Sequence, residues 1–350
     1  MRRRRLLASL AASAAMRPAL AAAARSEFRI AWSIYVGWMP WGWAAEQGIV
    51  DKWADRYGLK IEVVQINDYV ESINLYTSGT FDGCTMTNMD ALTIPAVGGV
   101  DSTALVIGDF SNGNDGIVSK TARDLAALKG ERIHLVELSV SHYLLARALE
   151  SVGLSERDVT VVNTSDADIL GLFRASPEVR HIVTWNPLLA EAAALPGARK
   201  LFDSARIPGE IIDLLVVRSE ALAARPELGK ALVGAWYETM AIMRRDDERG
   251  RAARRAMAAA SGTDLPGFDA QLATTRMFWE PAEALAFATS SDLVRTMDRV
   301  RRFAHDKGLL GGALDGVGIA FADGTVLGAR ANVKLRFDPS WTALAAEGRL

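Results

Sequence analysis

The chain has 350 residues, of which 50% are apolar and 23% charged, with a formal net charge of -2. A chain of this length exceeds what one hydrophobic core supports, so two units are expected, and its apolar content excludes a disordered polymer. The near-neutral balance excludes a surface built mainly for nucleic acid.

Taken in chain order, the first feature is the cationic block Arg2 to Arg5, followed by the short apolar stretch Leu6 to Met16 and the small residues Ala19 to Ala24. This is the pattern of an export signal over residues 1–25, with the mature chain beginning near Arg25. The arginine run followed by Leu6 and Leu7 fits either the general or the twin-arginine route. The stretch is too short to span a bilayer, and no later segment supplies about 20 uninterrupted apolar residues. The single cysteine, Cys84, has no partner for an internal disulfide and stands too far from the signal to carry a lipid. It is expected to be a small buried residue.

From Glu27 onward, short β-type runs alternate with helical ones. The pattern predicts strands at Phe28–Ser33, Ile61–Gln65 and Gly83–Thr87, with helices at Trp41–Tyr57, Tyr69–Ser78 and Met89–Val97. A second series follows: strands Arg132–Val136, Val159–Asn163 and His181–Thr184, with helices Ser141–Val152 and Asp166–Ala175. Strand–helix alternation with short connections implies parallel-rich sheets flanked by helices. Strands Leu105–Gly108 and Leu214–Val217 flank the second series and are the expected crossings between lobes. Residues 26–115 are assigned to the first lobe, 116–208 to the second, and 209–350 to the completion of the first. Within the last stretch, helices are predicted at Ala223–Arg245, Asp247–Ala260, Asp269–Trp279 and Pro281–Lys307. Ala322-Asp323-Gly324 signals a turn between two short strands.

In sheets of this kind a ligand lies beyond the carboxyl ends of the strands. The loops so selected hold Trp38 and Trp41, the carboxylates Asp68, Asp90, Asp109, Asp115, Glu137 and Asp213, and Ser141 and Trp185. Of these, Trp38, Trp41, Asp68, Asp90, Asp109, Glu137, Ser141, Trp185 and Asp213 are the candidate ligand-binding residues, with Asp90 and Glu137 expected to reach the ligand from opposite lobes. The loops hold no lysine or arginine, although Arg29 or Arg218 reaching in would reverse their sign. Carboxylates beside indole rings suit a planar cation, which donates paired hydrogen bonds and stacks on an aromatic face. Urea shares the shape and donors without the charge. Each candidate also has a plain structural reading: Asp68, Asp90 and Asp166 stand where helix N-caps stand, some of Trp32, Tyr35, Trp38, Trp41 and Trp43 are core, and His142 packs or caps.

No catalytic or metal motif is present. His134, His142, His181 and His305 lack metal-ligand spacing, and no nucleophile elbow, phosphate loop or dinucleotide fingerprint occurs. Neither a metal nor a cofactor is expected.

Four segments carry a resemblance: Phe28-Arg29-Ile30-Ala31 through Trp41 to Glu46-Gln47-Gly48-Ile49-Val50; Leu75 to Gly83; Leu125 to Leu149 with Gly153-Leu154 and Asp158-Val159-Thr160; and Thr184-Trp185-Asn186-Pro187. In order and spacing, over roughly residues 28 to 220, they resemble the sulfonate, nitrate, taurine and pyrimidine-precursor class of periplasmic binding proteins. The opening Trp32–Trp43 and Thr87-Asn88-Met89-Asp90 are closer still to members associated with urea or guanidine utilisation. The resemblance implies a two-lobed α/β periplasmic binding protein fold of type II-like form with a cleft between lobes, and a monomeric periplasmic protein. It further implies that the chain performs no chemistry and delivers a small molecule to the permease and ATPase subunits of an ABC importer. A guanidine- or urea-type ligand stands first, with nitrate, taurine or an alkylsulfonate as alternatives. Some relatives are enzymes of pyrimidine-precursor synthesis that use a cysteine- and histidine-rich segment, which this chain lacks.

Overall fold

The computed structural model describes residues 25–350, so the expected export signal falls outside the described residues apart from Arg25. The strands, in chain order, are β1 (Glu27–Trp32), β2 (Lys60–Gln65), β3 (Gly83–Thr87), β4 (Ser102–Ser111), β5 (Asp115–Ser119), β6 (Arg132–Leu135), β7 (Thr160–Asn163), β8 (His181–Trp185), β9 (Arg199–Asp203), β10 (Ile212–Arg218), β11 (Thr275–Met277), β12 (Gly318–Ala320), β13 (Val326–Leu327) and β14 (Val333–Phe337). They form two sheets. The first runs β13-β12-β14-β4-β10-β3-β1-β2 with β11 on β4, and the second runs β7-β6-β8-β5-β9.

The expected parallel pairing holds where strands alternate with helices, at β1 with β2 and β3 and at β6 with β7 and β8. The crossing strands are antiparallel: β10 lies between β3 and β4 in the first sheet, and β5 pairs antiparallel with β8 and β9 in the second. The chain passes from β4 to β5 through residues 112–114 and returns from β9 to β10 through residues 204–211, so both passages leave one sheet and enter the other beside Asp109, Asp115 and Asp213. That adjacency follows from the topology and positions the site described below.

Several predicted elements are divided in the structure, each for a local reason. The single helix expected over Trp41–Tyr57 is two, Met39–Glu46 and Ile49–Arg56, because Gly48 between them takes φ 68° in the left-handed region. Pro281–Lys307 is likewise Pro281–Ala288 followed by Ser291–Asp306, whose N-cap Ser290 accepts from the Leu293 amide. Asp269–Trp279 is not one helix: a helix capped by Asp264 ends at Leu272, and Thr275–Met277 extends as β11 against β4. Short β5 and β9 were not anticipated. The turn at Ala322-Asp323-Gly324 does join a hairpin, with Ile319 opposite Leu327.

Helix Ser291–Asp306 shows how the pattern becomes packing: Leu293, Met297, Val300 and Ala304 recur at three- and four-residue spacing and are all buried, while Asp292, Arg295 and Arg302 stay outside. Each such apolar side chain contributes about 1.5–3 kcal/mol when fully buried, alanine less. Among the described residues no helix is long and apolar enough to cross a membrane. Cys84 is fully buried on β3, and burial pushes its thiol up to about 12.

Candidate functional site

Between the two sheets lies a cavity with about 270 Å3 of empty space. Its first-sheet wall comes from the turn after β1, where Trp38 and Met39 both donate backbone N–H groups to the Tyr35 carbonyl, and from the first residue of helix Tyr69–Thr77. Tyr35 meets Trp38 edge-on with ring centroids 4.9 Å apart, and Trp38 stacks on Tyr69 at 5.6 Å. Tyr69 in turn meets Trp185 of the second sheet edge-on at 5.7 Å. The four rings form an aromatic wall that runs from one lobe to the other, and Thr87, Val140 and Ile211 complete it.

The rest of the lining is acidic. Asp115 and Asp213 face the cavity directly, one from each sheet. Asp213 is the register partner of Asp109 across β10 and β4, so the two buried acids stand opposite each other. The Tyr35 hydroxyl donates to Asp109 at 3.1 Å. Asp90 accepts from the Tyr69 hydroxyl at 2.6 Å and from the Thr87 hydroxyl at 2.9 Å. Burial raises all four above the ordinary carboxylate range: Asp90 to about 6, Asp109 and Asp115 to about 7, and Asp213 well up, with the charges of Asp109 and Asp115 adding to it. Burial likewise pushes the Tyr35 and Tyr69 phenols well up, so both remain donors.

No basic side chain lines this cavity. Arg29 pairs with Glu62 near the start of β1, and Arg218 donates to the carbonyls of Tyr76, Thr77 and Phe81 at the far end of β10, so neither reaches in. Oδ1 of Asp90, Oδ2 of Asp109 and of Asp213, Nε1 of Trp38 and Oγ of Ser141 are buried without a hydrogen-bond partner. Among the described residues no group of three or more His, Cys, Asp or Glu side chains is arranged to hold a metal ion.

Of the predicted residues, Trp38, Trp185 and Asp213 line the cavity, Asp90 and Asp109 stand directly behind the lining, and Ser141 is buried at the start of helix Val140–Glu150. Three expectations are corrected. Trp41 lies outside the lining and stacks on Trp236 at 5.2 Å within the first lobe. Asp68 caps helix Tyr69–Thr77 through the Glu71 amide and accepts from Ser165 of the other lobe at 3.0 Å, so it joins the lobes outside the cavity. Glu137 is exposed: its loop turns through Leu138 at φ 63° and is tied to Asn163 by the Glu137 amide. The acid that the second sheet presents is Asp115 at the head of β5, one residue before the expected start of the second lobe. Tyr69 and Gly37 were also missed. A Cβ on Gly37 would fall 2.4 Å from Asp109 Oδ2 and 2.5 Å from the Tyr35 ring, so the turn approaches the acid pair only with glycine there.

Outside the cavity, the lobes are tied by ionic contacts. Glu210, in the return passage, accepts from Arg147 Nε at 2.9 Å and Nη2 at 3.1 Å, from the Tyr143 hydroxyl of the same second-lobe helix, and from Arg299 of the first lobe. Lys307 of the first lobe pairs with Glu156 of the second. A larger groove, with about 920 Å3 of empty space and bounded by residues 186–200 and 262–274, carries none of the buried acids.

Residues 52–249 match the family model described as NMT1/THI5 like. No curated protein matches the chain significantly. Among solved structures it is similar to the alkanesulfonate-binding protein SsuA from Xanthomonas axonopodis pv. citri bound to MOPS, at 21% identity and TM-score 0.67, covering 83% of this chain and 96% of that one. The periplasmic aliphatic sulphonate binding protein SsuA from Escherichia coli matches at 18% identity and TM-score 0.67, again over 83% and 96%. The desulfurization enzyme DSZB matches at 17% and 0.59, over 83% and 95%. At these identities the likeness is one of fold, the α/β periplasmic binding protein fold, which binders and an enzyme share.

Proposed function

The chain belongs to the NMT1/THI5-like family, and from that premise we propose that it is the periplasmic solute-binding subunit of an ABC importer. In this reading it captures a small planar cation of the guanidinium type by closure of its lobes, acts as a monomer, and hands its cargo unchanged to a permease and its ATPase. The observation that carries the ligand class is the cavity itself: four buried carboxylates, an aromatic wall and no basic side chain among the lining residues. An ammonium or guanidinium group there would compensate charges that nothing else compensates, and the rings of Trp38 and Tyr69 offer faces for a flat cation. Urea stands second, because it would leave the carboxylates without a countercharge.

The relatives named for sulfonates favour the other reading, an anionic ligand. Anion sites use cationic side chains and helix N-termini, and here the groups at the corresponding depth would repel a sulfonate.

The test is calorimetric titration at pH 8 with guanidinium, methylguanidine, urea, nitrate and taurine, followed by recovery of the bound compound. Guanidinium binding with the compound recovered intact supports the proposal. Binding of taurine or nitrate with no response to guanidinium would refute the ligand class, and a changed compound would refute the assignment as a binder.

A further inference from the structure

We propose that Asp109 and Asp213 form a proton-sharing pair that selects the charge of the ligand: the pair holds one proton when no ligand is bound, a planar cation displaces that proton to solvent, and a neutral isostere of the urea type does not. The inference rests on the cation-binding reading above and deepens it by assigning discrimination between cation and isostere to two residues.

The geometry carries the argument. Asp213 and Asp109 are direct partners across antiparallel strands, both almost wholly buried. Directly opposite residues on antiparallel strands stand about 5 Å apart at Cβ, so the two carboxyl groups are near enough to share one proton. The Tyr35 hydroxyl donates to Asp109 at 3.1 Å. Asp213 Oδ2 faces the cavity side without a donor.

The groups facing the pair from each packed element are a phenol and acids. Tyr35 comes from the turn after β1 and Asp115 from β5, and Asp90 in turn acts on Asp115. The nearby cations are committed elsewhere: Arg276, next to the β11 residue paired with Asp109, donates to the Met277 carbonyl and Glu283, Arg147 and Arg299 hold Glu210, and Lys307 holds Glu156. Two opposed carboxyl groups, buried and without a cation, titrate as a pair whose second proton is held more tightly than the first. Burial raises both, and the charge of Asp109 raises Asp213 further. An incoming guanidinium supplies the missing charge and releases that second proton. Urea brings no charge and finds the singly protonated pair as one donor and several acceptors, with no reason to expel its proton.

The experiment is titration of the full mature protein with guanidinium chloride and, separately, urea, from pH 5 to pH 9, in two buffers of different ionisation enthalpy. The expected result is a guanidinium Kd that tightens by up to roughly tenfold per pH unit until the pair has lost its last proton and then levels, with close to one proton released per ligand along the slope, and a urea response without that slope. Asp213→Asn should abolish most of that slope and of the proton release. Should Asp213→Asn not fold, Tyr35→Phe provides the second reading: loss of this donor should move the midpoint of the guanidinium profile to higher pH. Guanidinium binding with a flat profile and no buffer dependence overturns the proton exchange while leaving the cation-binding reading intact, and so does a slope unchanged in folded Asp213→Asn or a midpoint unchanged in Tyr35→Phe. Failure of guanidinium to bind at any pH in the range overturns both.

Discussion

Asp115 is the acid that the second sheet contributes to the cavity, and replacing it with asparagine should weaken ligand binding while stabilising the free protein. Burial moves its carboxyl from 3.8 to about 7. An acid raised in this way is neutral in both folded and unfolded chains below about pH 4, so its contribution to stability is intact there. That contribution is lost as the pH rises through about 7, because the unfolded chain ionises freely and the folded one does not. At about 1.4 kcal/mol per pKa unit, the ionised side chain costs the closed form about 4 kcal/mol by pH 8. With an unfolding entropy of about 2 cal/mol/K per residue, that corresponds to roughly 5 °C in Tm for a chain of this length. Opening of the lobes hydrates Asp115 and relieves part of the cost, so the gain should lie between zero and that figure. Asp115→Asn should therefore melt higher than the wild type at pH 8 and equal to it at pH 4, by scanning calorimetry. Its guanidinium affinity at pH 8 should fall about 10- to 100-fold, the equivalent of one desolvated charge-assisted contact. A Tm difference of equal size at both pH values would show that Asp115 is not desolvated. Loss of Tm together with loss of affinity would show a structural role, and either outcome refutes the reasoning.

Three further expectations follow from neighbouring residues. Trp38→Leu should weaken guanidinium binding about 5- to 30-fold by removing a stacking face, whereas Trp41→Leu should lower stability by about 2–3 kcal/mol through the lost contact with Trp236 and leave Kd unchanged; paired denaturation and titration curves separate the two. Gly37→Ala places a methyl group against Asp109 and Tyr35 and should cost about 1–3 kcal/mol in overpacking, with binding lost at pH 8 even at temperatures where circular dichroism shows a folded chain. Glu210→Gln removes the charge, and one of the two acceptor oxygens, that Arg147, Tyr143 and Arg299 share; since Arg299 is half exposed, its share is discounted and the total is about 2–3 kcal/mol, to be read as weaker ligand binding and a larger radius of gyration by X-ray scattering in the presence of saturating ligand.

Much of the architecture was legible because it rests on local pattern. The β1–β3 and β6–β8 series announce themselves by apolar runs separated by helical spacing, and the hairpin at Ala322-Asp323-Gly324 by its turn chemistry. The strand-end rule led to Trp38, Asp90, Asp109, Trp185 and Asp213, which the structure gathers at one cavity or directly behind it. What was illegible depends on the hand of individual turns and on long-range pairing. Trp38 and Trp41 are three residues apart, about one helical turn, and both are buried; only the packing of Trp236 against one of them decides which is core. Glu137 follows a strand as Asp90 does, but Leu138 in the left-handed region turns its loop outward, and no leucine advertises such a conformation. Asp115 was read as the end of a loop because β5 is five residues long and its partners, β8 and β9, arrive about 65 and 80 residues later.

The contacts of Glu210 with Arg147 and Arg299, of Lys307 with Glu156 and of Asp68 with Ser165 join the lobes through residues that do not line the cavity. A receptor held shut by such bonds alone would close on nothing and present an idle complex to its permease. On the importer reading, the acidic lining prevents this false signal: above neutral pH its uncompensated charge opposes closure, so the ionic ties prevail only when a cation sits among the carboxylates. Fidelity of signalling would then come from the balance between peripheral ties and a central repulsion, and strengthening the ties without changing the cavity should make the protein report cargo that it does not carry.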